Sequence, residues 1–121
     1  MGQIREFQKE SGQWVIDKFG DKIHACLEER GIRVLEEATE FAQSVGVSSE
    51  KMLNIIAQVM RKPPGEPIQE LAGTLHTVLS AAESLNQDLE THFIEETRRI
   101  NALPPEYFKD RHSRKVKAEG L

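Results

Sequence analysis

The chain has 121 residues, 38% hydrophobic and 30% charged, which fits one soluble globular domain and excludes disordered, fibrous and membrane-spanning classes. Its formal net charge is −4, from 16 Lys and Arg against 20 Asp and Glu, so nucleic acid is not an expected partner. Cys26 is the only cysteine, which excludes an intramolecular disulfide or a cysteine metal cluster, and with no signal-like or membrane-length apolar run the expected location is the cytoplasm, away from any membrane.

Aromatic content of 6% and few β-branched runs favour helix throughout. Residues 3 to 19 place Ile4, Phe7, Trp14, Val15, Ile16 and Phe19 among polar positions, a helical pattern that Gly20 closes. Asp21 caps a second helix running to about Val45, with Gly31 as its weak point. Gly46 ends it, and Ser48 caps a third helix whose Met52, Leu53, Ile55, Ile56, Val59 and Met60 form a broad apolar face, stopped by Pro63-Pro64-Gly65. A fourth helix, from about Pro67 to Leu85, has one face of Ile68, Leu71, Leu75, Val78 and Leu79. Its opposite face carries Gly73, Thr74, Thr77, Ser80 and Ser84 instead of Lys and Glu, a pattern that suggests another helix close on that side too. Asn86-Gln87-Asp88 turns into a fifth helix that ends at Leu103-Pro104-Pro105. Residues 1–103 are thus expected to form one helical domain. Residues 104–121 read as a polar, basic C-terminal helix or tail and not a separate domain, with a last short helix from Pro105 that reaches about Val116 and is expected to be solvated or frayed, five Lys and Arg standing against one Asp between Lys109 and Lys117 and His112 at the surface.

Chemistry concentrates on the second helix. Glu36, Glu37 and Glu40 span a sector about 100° wide, and Arg33 projects into it one turn earlier. Like charges at this spacing cost a few tenths of a kcal/mol each, so the sector either is simply solvated or serves a cation, and periodicity leaves the two balanced. Glu70 lies on the small-residue face of the fourth helix, where a covered carboxylate needs either a basic partner or a cation shared with other acids. Sets made only of carboxylates suit Mg²⁺ or Mn²⁺. Arg33, Lys62, Arg98 and Arg99 are the candidates for gripping phosphate oxygens. Trp14 is the one landmark for stacking on a base, although a single tryptophan on an amphipathic helix is more often core.

The segment Glu36-Glu37-x-x-Glu40, followed by Gln69-Glu70-Leu71-Ala72-Gly73, resembles the MazG-like branch of the all-α nucleoside triphosphate pyrophosphohydrolases, whose pattern is EExxE followed by ExxD on the next core helix. Trp14, Phe19-Gly20, Glu29-Arg30, Arg33 and the turn Pro64-Gly65-Glu66-Pro67 share the likeness, which covers roughly residues 7 to 101. The resemblance implies an all-α antiparallel bundle of about five helices whose central pair carries the acids, assembled as a dimer or tetramer. It implies Mg²⁺-dependent hydrolysis of a nucleoside or deoxynucleoside triphosphate to monophosphate and pyrophosphate. Glu37, Glu40 and Glu70 would then be metal ligands, and Glu36 a further ligand or the catalytic group that orients the attacking water. Gly73 stands where the family has aspartate, so the alternative is a catalytically impaired protein of the same fold that binds nucleotide or a protein partner.

Overall fold

A computed structural model describes residues 2–119, and among them there are seven α-helices and no strand. The helices are α1 (Gln3–Phe19), α2 (Asp21–Ala25), α3 (Leu27–Ser44), α4 (Ser49–Met60), α5 (Pro67–Ser84), α6 (Leu89–Asn101) and α7 (Pro105–Glu119). The protein is therefore all-α. No helix among the described residues is long and apolar enough to cross a membrane. The chain divides into two compact units, one formed by the residues up to Phe41 together with those from Arg99 onward, the other by Ala42–Arg98.

Local chemistry sets most of the boundaries. Gly20 adopts φ 95° and its N–H closes onto Ile16 O at 2.9 Å, a conformation that L side chains resist. Ser48 accepts from Lys51 N at 3.2 Å to start α4, and Glu66 accepts from Gln69 N at 2.8 Å to start α5 behind Pro67. Asp88 receives Glu90 N at 3.1 Å and Thr91 Oγ1 at 2.9 Å ahead of α6. The break after Asp21 falls at Cys26, whose backbone is extended, and not at Gly31, which lies inside α3 in open space. Both polar groups of Cys26 stay engaged there, its N–H on Ile23 O at 3.2 Å and its carbonyl receiving Arg30 N at 3.0 Å, so the break orphans neither.

In the first unit α1 packs on α2 and on α7. Its centre is aromatic: Phe108 is 8% exposed and meets Trp14 at 5.1 Å, Tyr107 at 5.2 Å and Phe19 at 6.0 Å between ring centroids, all edge to face. Lys18 reaches across, donating to Leu103 O at 3.4 Å with its ammonium 6.0 Å from the centre of the Phe108 ring. Of the helix and the tail expected for the last stretch, the described residues form a helix, and it is docked rather than solvated because one aromatic side chain outweighs the polarity of its neighbours; positions 120 and 121 lie outside the described residues.

The second unit is built differently. Among its described residues only Ala82 is buried, and no two of its helices pack along an extended interface. Leu53, Ile55, Val59 and Met60 of α4 and Ile68 and Leu71 of α5 are each more than half exposed. The small-residue face of α5, including Gly73, Thr77 and Ser80, is exposed as well.

Phe108→Ala is expected to cost about 3 to 5 kcal/mol, the range for removing a buried phenyl ring from a core. Urea unfolding followed by far-ultraviolet circular dichroism measures it, and a loss below about 1 kcal/mol would show that α7 is held by something else.

Candidate functional site

Helix α3 carries the acids of the first unit on successive turns. Glu36 is half-buried, whereas Glu37 and Glu40 are exposed. Both oxygens of Glu36 are engaged: Oε1 accepts from Lys115 Nζ at 2.6 Å, and Oε2 accepts from Arg33 Nη1 at 3.3 Å. The Lys115 hydrogen bond holds the Glu36 carboxyl below its ordinary range, partial burial opposes it, and the charges of Lys115 and Arg33 reinforce it. Arg33, expected in the acidic sector, does reach Glu36, and it also donates through Nη2 to Glu119 on α7. Partial burial works against the Arg33 charge, but Glu119, Glu29 and Glu36 outweigh it and raise its pKa.

Glu29 lies behind this pair, 7% exposed. Its Oε1 is 2.9 Å from Arg33 Nε without hydrogen-bond alignment, so that contact is coulombic, and the same oxygen lies 3.5 Å from His112 Nδ1. His112, expected at the surface, is half-buried, with its ring 5.6 Å from Phe19. Lys115, His112, Glu119 and Glu29 are the residues that the sequence reading missed. The signal was present as spacing: Phe108, His112, Lys115 and Glu119 recur at four, three and four, one face of a helix, and Glu29, Arg33 and Glu36 recur at four and three.

Glu70 belongs to the second unit, in the first turn of α5. Its carboxylate lies over Gly65, where an added Cβ would fall 2.6 Å from Glu70 Oε1. Glu66, the neighbouring acid, is committed to capping α5. Gly73 lies mid-helix with nothing within 4 Å of the position a Cβ would take, so its missing carboxylate is not dictated by crowding. Lys62 and Arg98 are exposed in this unit, and Arg99 is exposed where the chain returns to the first. Trp14 is a member of the aromatic cluster, its indole Nε1 buried without a hydrogen-bond partner, which is the commoner role of a lone tryptophan on an amphipathic helix.

By chemistry the acids suit a hard divalent cation, since they offer only carboxylate oxygens. By placement Glu36 is paired with Lys115 and Arg33, and Glu70 belongs to the second unit. Among the described residues no group of three or more His, Cys, Asp or Glu side chains is arranged to hold a metal ion.

Because the folded-state pKa of Glu36 lies below that of an unfolded glutamate, about 4.3, its pairing contributes stability in full above about pH 5, and that contribution fades as pH falls through the lowered value. Wild type and Lys115→Met are expected to differ by about 0.5 to 1 kcal/mol at neutral pH and to converge near pH 3 in urea unfolding; equal stabilities at neutral pH would contradict the pairing. No family model, no curated protein and no solved structure matches the chain, and what the site does rests on its residues.

Proposed function

We propose that the protein is a Mg²⁺- or Mn²⁺-dependent (d)NTP pyrophosphohydrolase of the MazG-like kind, acting in the cytoplasm as a homo-oligomer. The observation that carries this reading is the acidic turn of α3, where Glu36, Glu37 and Glu40 sit beside an arginine already paired into the same sector. A divalent cation bound to such carboxylates supplies charge stabilisation for a polyphosphate. Glu37 and Glu40 are exposed and open to it, and Glu70 is the further acid that the motif contributes. Glu36 is the group to orient an attacking water, once its carboxylate is released from Lys115. Arg33 presents a planar fork matched to phosphate oxygens, with Lys62, Arg98 and Arg99 as further sources of positive charge.

Oligomer formation is supported by the second unit, whose α4 and α5 leave apolar faces exposed that a second copy of the chain can cover. A second reading is favoured by Gly73 and by the pairing of Glu36 with Lys115 and Arg33: a protein of the same kind that binds nucleotide or a protein partner without turnover.

The enzyme is expected to release pyrophosphate from at least one nucleoside triphosphate, and only with Mg²⁺ or Mn²⁺ present. Glu37→Gln and Glu40→Gln are each expected to abolish release without unfolding the chain, and metal-independent release would contradict the reading. Gly73→Asp fits the open space at that position and is expected to tighten Mg²⁺ binding by restoring the second-motif carboxylate; unchanged affinity would place the site elsewhere. Light scattering is expected to give a dimer or tetramer at micromolar concentration, and a monomer would count against assembly through α4 and α5.

A further inference from the structure

We infer that the second unit takes its hydrophobic core from the second unit of another copy of this chain, so that α4 and α5 fold and associate in one step while the first unit folds around Phe108 by itself. This rests on the homo-oligomer of the preceding subsection and needs neither its metal nor its hydrolysis. Among the described residues of that unit Ala82 alone is buried, and α4 and α5 are helices of 12 and 18 residues. Isolated helices of such length are marginal in water, and one buried alanine does not offset the conformational entropy of ordering them. The missing core has to come from outside the unit. The first unit keeps its large aromatic side chains for its own centre, where Trp14, Phe19 and Phe108 meet.

Three features fit a second copy as the source. The first is area: ten large apolar side chains on α4 and α5 are between 40% and 76% exposed, with Met60, Ile68 and Leu53 the most open. At roughly 100 Å² apiece they leave on the order of 1,000 Å² uncovered, against the few hundred Å² of a monomer's largest patch and the about 800 Å² that each partner buries in a standard stable interface. The second is charge: from Met52 to Met60 and from Leu71 to Ala82 there is no Asp, Glu, Lys or Arg on any face. A charged partner finds nothing to pair with there, whereas an equally apolar surface does, and a two-fold axis sets the same patch of another copy against it. The third is the small-residue face of α5, which can be covered without orphaning its hydroxyls. Thr74 and Thr77 donate to Glu70 O and Gly73 O, each at 2.9 Å, and Ser84 donates to Ser80 O at 3.2 Å. Gly73, with nothing within 4 Å of its Cβ position, leaves room there for the close approach of a second helix.

The test is urea unfolding of the full chain at protein concentrations roughly hundredfold apart, followed by far-ultraviolet circular dichroism and by Trp14 fluorescence, with mass measured by sedimentation. The midpoint of the helical signal is expected to rise with concentration and that of Trp14 to stay fixed. Leu75→Glu puts a charge on the apolar face of α5 in a residue that favours helix about as leucine does. It is expected to sediment as a monomer and to lose helical signal while Trp14 emission is unchanged. Assembled chains whose helical midpoint ignores concentration overturn the coupled folding while the homo-oligomer stands. A monomer with full helicity at every concentration overturns the homo-oligomer as well. A Trp14 midpoint that rises in step with the helical one overturns the separate folding of the first unit, and wild-type mass in Leu75→Glu overturns α5 as the interface.

Discussion

The first unit depends on a single aromatic side chain, Phe108. Phe108 arrives from the far end of the sequence and fills the space beside Trp14 and Phe19, the one buried apolar side chain that α7 brings to α1 among the described residues. Burying one phenyl ring is worth roughly 1.5 to 3 kcal/mol in transfer free energy, more than the about 0.5 to 1 kcal/mol of a half-exposed pair such as Lys115 with Glu36. The charged contacts therefore set where α7 lies rather than whether it binds: Lys115 on Glu36, Glu119 on Arg33 and His112 near Glu29 fix its rotation and register once the ring is seated.

That division of labour explains a buried glutamate in a unit this small. Glu29 is almost wholly enclosed, and an isolated carboxylate there would be costly, but Arg33 and His112 face the same oxygen and Arg30 lies 4.0 Å from it. Glu29, Arg33 and Glu36 of α3 meet His112, Lys115 and Glu119 of α7, so these charges find opposite ones across the two helices. The consequence for chemistry is that the acid nearest this network, Glu36, is the one whose availability depends on it, while Glu37 and Glu40 face solvent.

Much of the architecture was legible because it is written locally. Glycines at 20 and 46, the Ser48 cap and the Pro67 start mark helix ends through conformations and hydrogen bonds that involve only a few neighbouring residues. The break at Cys26 was not legible, since nothing in that residue disfavours helix and Gly31 was the more conspicuous weak point. The docking of α7 was missed for a similar reason: composition averages five cations over a segment, whereas burial is decided by Phe108 alone. At the candidate site, the sector shared by Arg33 and Glu36 followed from the 3.6-residue period, but the partner on α7 depends on a contact between residues 79 apart in sequence. No local pattern reports a contact of that range.

The enclosure of Trp14 has a use beyond packing. It is the only tryptophan in the chain, and its indole sits edge-on to Phe108 and Phe19 within the first unit. Its fluorescence therefore reports on its surroundings in that unit, whereas the far-ultraviolet signal sums every helix. The molecule thus carries two built-in probes of different scope, and the coincidence or separation of their transitions reports whether the two units lose structure as one cooperative body.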